Sequence, residues 1–177
     1  MAASNRTYAN RILPAWMWPS SAASSTAAAE DFERKKAVHE DTARQYRVAA
    51  GQLEQMTEGA MSEAMITEHQ LLAVDHANIA RIDDEFAVTG RRLAEMAHSL
   101  SAHLDDIDSE AQQEISSSPL ARRGAIISEA HAKAAVVLAA FTADVAGVRA
   151  QAEKRLGGWL RESKNEHLPR KTARRGR

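Results

Sequence analysis

The chain has 177 residues and no cysteine, with 44% apolar but only 5% aromatic residues and a formal net charge of −1. Without cysteine there is no disulfide framework, no thiol nucleophile and no thiolate zinc site. The length suits one domain with tails, and alanine dominates the apolar residues, so buried seams are expected to be thin and helices closely spaced.

Residues 1–28 contain Arg6 and Arg11, Pro14 and Pro19, a Ser/Ala-rich run and no acidic residue. Two prolines break the short apolar stretch from Ile12 to Pro19, so it lacks the unbroken core of a secretory signal. This segment is expected to be flexible, and the chain to be cytoplasmic or exported without a cleaved signal peptide. Its Trp16-Met17-Trp18 knot reads either as a hydrophobic flap on the bundle or as a docking segment, since tryptophans are costly to leave in water.

A helical bundle is expected over 29–160, with helices at about 29–57, 61–115 and 120–160. The first should start near Thr26, with Glu30 and Asp31 at its positive dipole end. Its apolar positions are Phe32, Val38, Tyr46, Ala49, Leu53, Met56 and Ala60. The phase shifts at Thr57-Glu58-Gly59, where a kink or short loop belongs. The second stripe runs Ile79, Ile82, Phe86, Leu93, Ala97, Leu100, Leu104, Ile107 and Ala111. After Ser116-Ser117-Ser118-Pro119 a third follows: Ile127, Ala130, Ala134, Leu138, Phe141, Val145, Val148, Ala152 and Leu156. Gly157-Gly158 should end it, although Trp159 and Leu160 stay on the same face and could add a final turn. Strand signals are missing. The fold class is therefore all-α, an elongated antiparallel helical hairpin or three-helix coiled-coil-like bundle with flexible termini. No apolar run approaches the roughly 20 residues that span a bilayer, so no transmembrane segment is expected.

Residues 161–177 read as a basic disordered tail. From Arg161 onward seven basic residues face two acidic ones, a net of +5 that leaves −6 on the remainder. Arg170, Lys171, Arg174, Arg175 and Arg177 are candidate phosphate or anion contacts, suited to salt-sensitive, sequence-blind binding of nucleic acid or an anionic surface.

The pattern offers no catalytic constellation. Glu95 and His98 have the spacing of a di-iron half-motif, but no second such pair exists. His69 and His76 lie two helical turns apart, beyond the reach of one ion. Asp105, Asp106, Asp108 and Glu110 read as one solvated acidic side, because Leu104, Ile107 and Ala111 keep the apolar stripe running through them. No nucleophile elbow, phosphate loop or dinucleotide fingerprint is present. No enzyme, cofactor or metal is expected.

A small, alanine-rich, cysteine-free helical chain with two arms around a Ser/Pro turn resembles the WXG100 or ESAT-6-like actinobacterial helical hairpins over roughly residues 79–160. The turn lacks their Trp-x-Gly. Their Tyr-x-x-x-Asp/Glu signal is also missing, since Tyr8 is followed by Ile12 and Tyr46 by Ala50. The resemblance implies a secretion-associated or partner-binding role and transfers no functional residue. The expected function is a non-enzymatic protein-protein interaction or structural role, pairing with itself or another helical protein. Trp16, Trp18, Met61 and Met65 are candidate partner contacts, because methionine makes a surface adaptable. The alternative is a nucleic-acid accessory protein working through the basic tail.

Overall fold

A computed structural model describes residues 12–13, 22–56 and 60–166, with side chains placed for 12–13, 24–56 and 62–161. Among these residues there are three helices, α1 (Ala22–Met56), α2 (Ala60–Ser117) and α3 (Leu120–Glu166), and no strand. Only Ile12, Leu13, Ser118 and Pro119 lie outside them. The fold is an all-α bundle. The expected shift at Thr57–Gly59 falls outside the described residues, as do Trp16, Trp18, the side chain of Met61, and Arg170, Lys171, Arg174, Arg175 and Arg177.

The contacts divide the chain into two compact units. One combines residues 1–27 with 90–149, so that it contains the α2–α3 turn; the other combines 28–89 with 150–177 and draws on all three helices.

In the turn unit, Ser116 and Ser117 hydroxyls donate to the Gln113 carbonyl at 2.6 and 3.3 Å, and the Ser118 amide donates to the Ile115 carbonyl at 3.3 Å. These bonds satisfy carbonyls that a helix end leaves without amide partners. Pro119 sits just before α3, where a missing N–H costs nothing. The core joins Leu100, Leu104 and Ala111 of α2 to Ile126, Ala130 and Ala134 of α3, with Leu13 inserted among them. Segment 1–28 was read as flexible. Ile12 and Leu13 correct that reading, because Leu13 is 1% exposed.

In the three-helix unit the buried residues are mostly alanine: Ala29, Ala43 and Ala50 on α1, and Ala73, Ala80 and Ala87 on α2. Multiples of seven separate them, so each set stays on one helical face. The numbering of the contacts is antiparallel: Phe32 stacks on Phe86 at 4.9 Å, Lys36 bonds Asp84 at 2.8 Å, and Gln70 bonds Glu54 at 3.3 Å. Ile79 and Phe86, expected inward, are instead 39% and 41% exposed. Close helix approach needs small side chains at the contact line, so the alanines take it and the larger residues lie at its margin.

Two helix ends also differ from expectation. α1 starts at Ala22, ahead of Thr26, since the alanines of the Ser/Ala run are strong helix formers; Glu30 and Asp31 are then past its first turn. α3 continues through Gly157-Gly158 to Glu166. Two glycines cost about 2 kcal/mol together relative to alanine, but tertiary contacts hold this end: Arg155 clamps Glu85, and Arg81 lies over the Trp159 ring at 5.1 Å.

Leu104 is fully buried, so Leu104→Ala should lower the unfolding free energy in urea by about 2–5 kcal/mol. A Cβ on Gly147 would meet nothing within 4 Å, so Gly147→Ala should raise it by about 0.5–1 kcal/mol in the same measurement.

Candidate interaction surface

Two features of the described side chains bear on function: polar ties that join the helices, and an exposed apolar side of α3. Asp108 is the first tie. It is 3% exposed, and its Oδ1 accepts the backbone amides of Ile12 at 2.6 Å and Leu13 at 2.9 Å. Gln112 donates to Oδ2 at 2.7 Å, and His131 Nε2 donates to the Ile12 carbonyl at 3.2 Å. A carboxylate buried with three donors is compensated in a way that a lone one is not. The solvated acidic side expected at Asp105–Glu110 is therefore corrected at Asp108, which turns inward to hold the N-terminal residues. The apolar stripe through the cluster concealed this, because a buried acid adjacent to core leucines looks like a surface charge in one dimension.

The three-helix unit has three further ties. Arg155 meets buried Glu85 with a two-pronged fork at 2.9 and 2.5 Å, and Thr89 donates to the same carboxylate at 3.2 Å. The Glu85 bond holds the Arg155 proton above the ordinary guanidinium range. Lys36 bridges α1 to Asp84 of α2, and that bond raises its ammonium above the usual lysine value. His39 and His76 meet nitrogen to nitrogen at 2.9 Å, one donating and one accepting. Tyr46 lies against the His76 ring at 5.6 Å and meets His69 edge-on at 5.7 Å. Spacing along the chain paired His69 with His76 on one helix; the partner of His76 is on the other helix, a contact no single-helix spacing reveals. Among the described residues, no group of three metal-ligating side chains converges to hold an ion.

The uncovered surface belongs to α3 in the turn unit. An 18-residue stretch of this helix has a mean hydropathy of 1.4, and only 17% of it is buried. By length and composition α3 is thus apolar enough to cross a membrane, where no such segment was expected. The outward residues include Ala125, Ala132, Ala139 and Ala146 at seven-residue spacing, with Ala135, Val136 and Ala143 beside them, all exposed. Val136 is 70% exposed. Next to this face, Met96 and Leu100 of α2 and Val137, Ala140 and Phe141 of α3 border a groove of about 380 Å³. Of the partner contacts expected from the sequence, only Met65 has a described side chain; it is exposed on α2 in the other unit.

Asp108→Ala would leave the Ile12 and Leu13 amides buried without an acceptor, costing about 1–3 kcal/mol, and hydrogen exchange at these two amides should accelerate. Asp108→Asn, which keeps an acceptor, should be milder. Because folding raises the Lys36 value, the Lys36–Asp84 contribution is present in full below the ordinary value of 10.5 and is lost as pH rises through the raised one. Lys36→Met should therefore flatten the alkaline limb of the stability profile, as read by urea melts across pH. Comparison with protein families, curated proteins and solved structures returns no match for this chain.

Proposed function

We propose that this is a non-enzymatic helical interaction protein that works by docking a partner helix on the outer face of α3. The observation that carries the reading is the combination of high hydropathy and low burial on that helix. A contiguous apolar surface on a folded domain marks an interaction site more often than scattered exposed residues do. The same chain also demonstrates the packing chemistry internally, since α1 and α2 meet through alanines at multiples of seven. α3 presents outward alanines with that spacing, exposed among the described residues.

Alanine favours a helix over a bilayer as the covering material. A methyl group gains little from lipid, while it lets another helix approach closely and gain dispersion contacts along its length. Glu129 borders the face and exposed Ser128 and Thr142 lie on it, and polar groups there suit an aqueous partner rather than hydrocarbon. The architectural resemblance to WXG100-like hairpins supports partner binding of this kind.

The test is site-specific photo-crosslinking in living cells. A photoactivatable residue at Ala139 should give discrete protein adducts, and the same residue at exposed Glu40, in the other unit, should give none. Crosslinks only to lipid, or equal adduct patterns at the two positions, would overturn the proposal.

A further inference from the structure

A groove between α1 and α2 in the three-helix unit gathers positive charge that the polar ties do not use. It encloses about 440 Å³, a size typical of small-ligand sites. Its floor is made of alanines: Ala43 and Ala80 are buried and Ala77 is half-buried. Around that floor stand Lys36, Arg44, Arg47 and Arg81, against two carboxylates, Glu40 and Asp84. Lys36 engages both carboxylates, 2.8 Å from Asp84 and 3.8 Å from Glu40. Three guanidiniums remain. Asp41, outside the groove, holds Arg44 at 3.3 Å. Arg47 has no hydrogen bond or ion pair among the described residues. Arg81 lies over the Trp159 ring at 5.1 Å, an attraction that uses none of its N–H donors.

Such a gathering is not the overflow of a basic surface, because residues 1–160 carry a net charge of −6. It also has a cost. Arg44 and Arg47 are three residues apart on one helix, where like charges are neighbours and repel. We infer that this groove binds a short oligophosphate, two or more linked phosphate groups that are free or form the tail of a nucleotide. A guanidinium presents a planar fork of donors that takes phosphate oxygens two at a time. Linked phosphates offer an anionic group to each of the three forks, which a single orthophosphate cannot, and they relieve the repulsion between Arg44 and Arg47. The site lies in the other unit from the outer face of α3, so the two stand or fall separately.

Isothermal titration of the purified full chain with inorganic tripolyphosphate, ATP and orthophosphate, in low salt without magnesium, reads the site. Tripolyphosphate should bind at least about tenfold more tightly than orthophosphate, and Arg47→Gln and Arg81→Gln should each weaken it by about tenfold. Both arginines are exposed, so helicity by circular dichroism should not change. Arg34→Gln, on α1 but not lining the groove, should leave binding within about twofold of wild type. The C-terminal basic residues are a rival anion site, and a full chain with Arg170, Lys171, Arg174, Arg175 and Arg177 all replaced by serine should bind as the wild type does. ATP binding more tightly than tripolyphosphate assigns the nucleotide as ligand; ATP binding no better assigns the free phosphate chain. The inference is overturned by a chain that binds neither tripolyphosphate nor ATP, or that binds orthophosphate as tightly as tripolyphosphate. Binding indifferent to Arg47→Gln and Arg81→Gln, or lost in the serine variant, overturns it equally.

Discussion

Alanine limits what holds this protein together. A buried methyl contributes on the order of 0.8 kcal/mol, far less than a leucine or phenylalanine, so a seam of alanines fixes helix separation without gaining much energy from any one contact. The three-helix unit is built largely on such a seam, and its rotational and axial register needs another source. Polar ties supply it: the Glu85–Arg155 fork, the Lys36–Asp84 bridge and the His39–His76 contact each join specified atoms on two helices. Opposed methyl groups tolerate sliding, whereas a two-pronged guanidinium–carboxylate bond does not.

The turn unit solves the problem differently. It has leucines and isoleucines at the α2–α3 contact, and it completes this core with a side chain from far away in sequence, Leu13. The carboxylate that secures Leu13 lies among the core residues, so hydrophobic insertion and backbone satisfaction reinforce each other. Burying the peptide groups of Ile12 and Leu13 without Asp108 and His131 would set unmet amides against the gain from burying Leu13.

Helix existence was legible from the sequence because 3-then-4 apolar spacing needs no knowledge of neighbours. Leu100, Leu104, Ala130 and Ala134 fall inward as their spacing demands. The face of a helix packed by two others is harder to infer. Ile79 and Phe86 outrank Ala80 and Ala87 in hydrophobicity, yet helix approach selects for size, and the alanines take the interior. Glu85 and Asp108 are buried acids that each have one donor four residues along the same helix, Thr89 and Gln112, but whose other partners, Arg155 and the Ile12 and Leu13 amides, lie 70 to 96 residues away, a relation that periodicity cannot express. The outer side of α3 was harder to read, because its Ala125, Ala132, Ala139 and Ala146 are small residues that periodicity alone would place inside.

The hook formed by Ile12 and Leu13 also sets an order of events during synthesis. Leu13 is made early, but Asp108 and the α3 core residues that receive it follow 95 to 121 positions later. At a translation rate of about 5–20 residues per second, Leu13 waits roughly 6–24 s for Ala134 to be made. Helices can form locally in that interval, and the N-terminal closure comes last. Ile12 and Leu13 are therefore among the last of these apolar residues to be sheltered, because the groups that cover them are made after them.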